Sequence, residues 1–540
     1  MSQTLTATGS LLRFAARRDR VKLSIWVLGL AAFVPYMMVA YQTIFATPED
    51  LAPIVGLLAN PSLTLFTGPG YGISADPGQL THQIIFASVY WLYLLLFVAL
   101  MNILLVSRHT RMEEQTGRAE IIRTSVVGRH APLTSTLLLA LAANVAVGAL
   151  IAVGLIAFDS DPSSSVLLGA GTAALGLVFA GVTTVTSQLS AFSSAGSGLA
   201  GAVLAAAWVV RGVGDMAAGP GEHGTWISWL SPLAWAQQTR VFYDDRWWPV
   251  GLLIGAAAVL MAAGFALSAR RDLGAGILQP RRGKATAPAW LRGPLTLALR
   301  LQRTQALWWA LGLTLASLMY GSFTGAMVDA FTDLPDIFQQ LMGGAEVALS
   351  GYLTLTITMF RIMIAIFAVI AWQKVVAEEV GGRAEPVLAT DVPPASWMAG
   401  HLMVIAVVSI MLAHVTSVVA GIFAGGVDGD YSLVGDAVAA AATGIPAILM
   451  VLALAAALHA LAPRLVVFAW IPVVAGALIE LFGDVMQLPG WARQISPFEH
   501  TPAMPAEEFA LAPLLVQAAV AAGLVAFALW RFSHRDIPSH

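Results

Sequence analysis

Two octads of charged residues recur 265 positions apart. Glu113-Glu114-Gln115-Thr116-Gly117-Arg118-Ala119-Glu120 returns as Glu378-Glu379-Val380-Gly381-Gly382-Arg383-Ala384-Glu385. Carboxylates and a guanidinium at this spacing do ion-pair chemistry. Glu114–Arg118 and Glu379–Arg383 stand at i,i+4 with the acid first, the favourable order on a helix. Such an octad either caps a helix in water or forms a docking surface. Two octads with the same charges in the same register favour docking, by a two-fold symmetric partner with one subunit per octad.

A second set of ionisable residues lies inside apolar runs: Arg211, Asp215, Arg361, Glu480 and Asp484. An ionised group in lipid is costly, so each needs a partner or a pathway to serve. Arg211 and Asp215 are one helical turn apart. Glu480 and Asp484 repeat that spacing with the first sign inverted, while Arg361 has Leu96 at its repeat position. These charges bind helices together or line a polar route across the membrane. Equivalent positions of two repeats come closest near a two-fold axis, so Arg211 is expected to meet Glu480.

Other chemistries find no residues to carry them out. There are no cysteines, hence no thiolate metal site or disulfide. A phosphate-cradling loop needs Gly-Lys followed by Ser or Thr; here Gly283-Lys284 is followed by Ala285. His401 and His414 are 13 positions apart on one apolar run and read as packed polar contacts. No catalytic constellation is expected, no cofactor on this chain, and the net charge of −3 gives no pointer to nucleic acid.

The elements that position these charges follow from composition. Charged residues are 11% of the 540 and apolar residues 58%, against about 25% charged in a soluble domain. This is the composition of an integral membrane protein. A bilayer core needs about 20 helical residues per crossing. Apolar runs at 22–42, 82–106, 133–158, 163–189, 198–218 and 249–268 form a first set. Runs at 305–328, 352–372, 398–424, 433–460, 464–484 and 511–531 form a second. Pro35, Pro446 and Pro472 inside them are tolerable in lipid. The expected fold is therefore an all-α polytopic membrane protein with about 12 transmembrane helices in two six-helix repeats. Residues 1–272 form the first repeat, 273–289 a glycine- and proline-rich linker, and 290–540 the second.

Placing both octads, both termini and the linker on one side puts 23 of the lysines and arginines there, against Arg240, Arg246 and Arg493 on the other. That asymmetry makes the octad side cytoplasmic. The outer segments are acidic, as at Asp76, Asp159, Asp161, Asp428, Asp430 and Glu507. Six spans per half make the repeats parallel, related by an axis along the membrane normal. A basic amphipathic stretch before each half, with Leu11, Leu12, Arg13 and Arg17 or Leu295, Leu299, Arg300 and Arg303, is expected to lie in the membrane surface.

An interfacial segment, two spans, a cytoplasmic Glu-Glu-x-x-Gly-Arg-x-Glu and four further spans resemble the permeases of ABC exporters of the second type. The likeness is nearest to the fused twelve-span group that exports polyketide antibiotics and other drugs in actinobacteria. Both octads carry it, with Arg211-Gly212-Val213-Gly214-Asp215 and Trp229-Leu230-Ser231-Pro232-Leu233-Ala234-Trp235. The resemblance implies a bacterial cell membrane and export of hydrophobic drugs. It also implies that two copies of a separate cytoplasmic ATPase, supplying ATP and Mg, seat on coupling helices at the octads. Carried over by position, those contacts are Glu113, Glu114, Gly117, Arg118 and Glu120, and Glu378, Glu379, Gly382, Arg383 and Glu385. Pro386, Pro393 and Pro394 follow only the second octad, so the two sites are expected to differ. The rival is a drug pump driven by an ion gradient, which also has six plus six spans. Segment 108–129 lacks the Asp-Arg and Gly-Arg-Arg pattern of that class. Trp226, Trp229, Trp235, Trp247 and Trp248 read as an interfacial belt or as an exit vestibule for apolar compounds.

Overall fold

The computed structural model describes residues 4–44, 61–73, 80–219, 221, 224–278, 286–325, 327–328, 345–482, 489–494, 496–502, 504 and 509–536. Asp484, Asp76 and Glu507 lie outside them. The chain divides into two compact units, Met1–Gly283 and Lys284–His540. Among the described residues there is no strand.

The long helices of the first unit are α1 Thr8–Ile44, α2 Trp91–His109, α3 Ala131–Ile156, α4 Pro162–Leu189, α5 Ser193–Ala218 and α6 Trp248–Ala269. Those of the second are α7 Pro294–Ser322, α8 Ala345–Val380, α9 Pro394–Asp428, α10 Leu433–Leu461, α11 Trp470–Phe482 and α12 Leu511–Ser533. In lipid every backbone N–H and C=O must be satisfied within the segment, which only a helix does from local sequence. Eleven helices among the described residues are long and apolar enough to cross a membrane. The exception is α7, which is 29 residues long but less apolar, with Gln302 and Gln305 along it. Two entries into spans depart from plain α-helix: a π-helical turn, Phe86–Tyr90, precedes α2, and a 3-10 segment, Pro463–Ala469, precedes α11.

The basic stretches before the spans do not form separate surface helices. α1 runs unbroken for 37 residues from Thr8 through the first apolar run, and α7 likewise carries Arg300 and Arg303 into its own. No proline or glycine interrupts positions 10–28 of α1, so the backbone has nothing to break it where the composition changes. At the opposite, acidic end, Asp161 caps α4 by accepting from the Ser164 N–H at 2.9 Å and its hydroxyl at 3.1 Å. Those bonds hold the Asp161 carboxyl below its ordinary pKa.

Small residues let the helices approach, as membrane bundles require in the absence of a hydrophobic drive between them. Gly148 of α3 and Gly169 of α4 meet so closely that a Cβ on either would strike the other's carbonyl. Beside them Asn102 and Asn144 exchange side-chain amide bonds at 3.0 and 2.8 Å, joining α2 to α3. Buried Trp91 donates to Thr172 at 2.8 Å, joining α2 to α4. In the second unit the buried rings of Trp397 and Phe532 stack with centroids 5.7 Å apart, tying α9 to α12.

Candidate functional site

Neither octad is one continuous helix. In the first, a short helix Arg111–Gln115 ends at Thr116, and Gly117 takes φ 74° before a second, Arg118–Arg123. In the second, α8 ends at Val380, and Gly382 takes φ 69° before the short helix Glu385–Leu388. Positive φ is the glycine-favouring region. The turn falls between Glu114 and Arg118, and between Glu379 and Arg383. The expected i,i+4 pairs are therefore not formed. Arg118 instead lies 3.8 Å from Glu113, and Arg383 donates to Glu378 at 2.9 Å.

Released from those pairs, the second glutamate of each octad turns inward. Arg271, just past the end of α6, grips Glu114 with both terminal nitrogens, at 2.7 and 2.5 Å. Its Nε donates to Gln188 at the end of α4, at 2.6 Å. Arg111 is fully buried; it donates to Glu114 at 2.8 Å and to the carbonyls of Ser187 and Ala275. The Gly274 N–H adds a bond to Glu114 at 3.1 Å. In the second unit Arg535, just past α12, pairs with Glu379 and donates to the His459 carbonyl at 2.8 Å. The ring of His459, near the end of α10, bonds Glu379 at 2.8 Å.

Each unit thus contains one clasp of three parts: the octad glutamate, the end of its fourth helix, and an arginine past its sixth. Arg271, Arg535, His459, Gln188 and Arg111 are the functional candidates that residue reading missed. The signal was present, because Arg271-Asp272 recurs as Arg535-Asp536 near the octad offset. Glu113 also turns inward, to Arg18 of α1 at 2.6 Å, and nearby Asp19 holds His109 at 2.7 Å and Arg108 at 3.0 Å.

The exposed residues of the first loop include Gln115, Arg118, Glu120, Ile121 and Val126. Those of the second include Val380, Arg383, Glu385 and Pro386. The octad residues therefore sort by position: Glu113, Glu114 and Glu379 hold the loops from inside, while Arg118, Glu120, Arg383 and Glu385 face outward. Glu378 stands between, paired to Arg383.

The described charges inside the spans have partners within their own units. Arg211, fully buried on α5, donates to Asp215 at 3.0 Å and to the Leu65 carbonyl at 2.5 Å. The Thr64 carbonyl at 3.3 Å and Gln237 at 3.4 Å complete its set. It pins the helix Pro61–Thr67 and the end of the short helix Pro232–Gln237 onto α5. Glu480 lies 3.5 Å from Arg361, which also donates to Thr358 at 3.0 Å and sits over the Phe498 ring. Arg211 and Glu480 therefore each take part in a local pair within their own unit. A buried arginine needs several acceptors at once, and Arg211 finds them on its own helix, on Pro61–Thr67 and at Gln237. His401 packs edge-on against Trp397 with centroids 4.9 Å apart, and His414 bonds the Ile410 carbonyl. Of the tryptophans, Trp229 stacks on Trp248 at 5.4 Å and its carbonyl accepts from Trp235 at 2.7 Å, while Trp226 is exposed.

The family model described as "Multidrug efflux system permease Rv1217c, C-terminal domain" matches residues 9–267 and 291–533. The chain is 35% identical over 538 residues to the "Multidrug efflux system permease protein Rv1217c" of Mycobacterium tuberculosis (strain ATCC 25618 / H37Rv), covering 98% of this chain and 95% of that one. With its long apolar helices and their few, internally paired charges, the chain is a multi-pass membrane protein and belongs to the Rv1217c family of multidrug efflux system permeases.

Proposed function

We propose that this chain is the membrane-spanning permease of an ATP-driven exporter that moves hydrophobic drugs or antibiotics out of the cell. Two copies of a separate cytoplasmic ATPase, carrying ATP and Mg, seat on the two loops. Both termini then lie in the cytoplasm of a bacterial cell. The observation that carries this reading is the loop itself. It occurs twice, is fastened each time by an inward-turned glutamate, and keeps an arginine and a glutamate of the octad facing outward: Arg118 and Glu120, Arg383 and Glu385. A loop that only capped helices in water would not need a buried ion pair, since such pairs add little stability over apolar contacts of the same shape. The Mycobacterium tuberculosis relative is a multidrug efflux system permease protein, and the tryptophans at the acidic end of the first unit suit apolar cargo.

Inside-out vesicles containing the chain, with and without its ATPase, test this. Drug uptake is expected only when ATPase and ATP are both present. Uptake driven by an imposed proton gradient without ATP would replace this reading with a secondary drug transporter.

A further inference from the structure

We propose that the Glu114–Arg271 and Glu379–Arg535 pairs are positioning residues that carry motion of each octad loop to the last helix of its own unit. This rests on the reading of the loops as ATPase seats and adds what happens behind them.

The geometry gives the link direction. Arg271 meets Glu114 through two parallel bonds, at 2.7 and 2.5 Å. A two-pronged guanidinium–carboxylate contact fixes orientation as well as distance. The chain past α6 is also bound to the end of α4. Ile277 and Leu278 donate from their backbones to Gln188 and Leu189 at 3.0 and 2.9 Å. Gly276 lies so close that a Cβ there would come within 2.6 Å of the Ser190 backbone. The ends of α4 and α6 and the loop therefore move together. The second unit repeats the plan, with Arg535 bonded to Glu379 and to the His459 carbonyl of α10. In both pairs the side chains are nearly closed off from solvent, at 8% and 12% exposure for the first and 9% and 5% for the second. Screening by salt is weak there, so the attraction that holds carboxylate to guanidinium persists at physiological ionic strength. Recurrence at both loops points to orientation, because stability alone is served as well by apolar side chains.

The second pair suits the test, because only one arginine faces its glutamate. The variants are Glu379→Gln, Arg535→Gln, the neutral double of both, and the charge swap Glu379→Arg with Arg535→Glu. Each is purified with the ATPase and assayed for drug transport in vesicles. The single changes are expected to lower transport about tenfold, within the range of coupling between two linked sites, with the ATPase still co-purifying. The swap is expected to recover most of the loss. Loss of the ATPase from the single variants would overturn the proposal by making the pair part of the docking face. A folded, assembled swap with no recovery would also overturn it. The neutral double leaves no unpaired charge, so it folds where a single variant does not. Reduced transport in that double supports the link, and wild-type transport removes it. If the unaltered chain transports without any ATPase, the ATP-driven reading falls. The neutral double against the unaltered chain still decides the link.

Discussion

At the end of the first unit Glu114 faces two guanidinium groups, Arg111 and Arg271; at the end of the second, Glu379 faces one, Arg535, and the imidazole of His459. Val376 stands where Arg111 would recur at the octad offset. Arg111 also ties its loop to the carbonyls of Ser187 and Ala275. The second loop has Pro386 in its short helix and starts α9 at Pro394. The repeat keeps the contact from loop to last helix and lets its surroundings drift. A guanidinium and a carboxylate are needed to fix orientation, while the third partner only has to fill the remaining hydrogen-bonding capacity.

The largest effect that would break or sharpen this contrast is at the glutamates. Glu114→Gln leaves Arg111 and Arg271 buried side by side without their anion, a loss of about 3–5 kcal/mol. Glu379→Gln leaves one arginine beside a histidine free to stay neutral, so about half that loss is expected. Thermal unfolding of the purified variants in detergent measures both; equal losses would erase the asymmetry. Next comes His459→Phe, which takes one hydrogen bond from a charged acceptor but leaves Arg535 in place. It should cost about 1.5–3 kcal/mol in the same assay, and no loss at all would show that His459 does not belong to the clasp.

The smallest stability effect is expected at the outward arginines, both more than half exposed. Arg118→Ala and Arg383→Ala should each change stability by less than about 1 kcal/mol, as exposed ion pairs do. Their ATP-dependent transport should nonetheless fall, because these side chains face outward, where the proposed ATPase would seat. A stability loss as large as that of Glu379→Gln would abolish the division into inward and outward residues.

Much of the architecture was legible in the residues. The runs at 163–189 and 433–460 became Pro162–Leu189 and Leu433–Leu461, because in lipid an apolar run has no alternative to helix. The extent of α1 was not legible. Hydropathy marks where polarity changes, and a helix ends only where the backbone is broken, which Thr8–Ile44 does not allow. The octads were legible as charged segments recurring in register, but the wrong pairs were read within them. Spacing of i,i+4 presumes a continuous helix, and Gly117 and Gly382 at positive φ remove it.

Composition and register alone fixed that the chain lives in a membrane, that a charged octad recurs 265 positions on, and where charge falls inside apolar runs. These are properties of composition and register, readable one position at a time. Only the tertiary structure decided which charge answers which. Arg271 is 157 positions from Glu114 and Arg535 is 156 from Glu379, distances over which no local periodicity operates. A buried guanidinium takes whatever acceptors the folded helices bring within about 3 Å, and that meeting is set by how α4, α6, α10 and α12 end, not by the spacing of residues along any one of them.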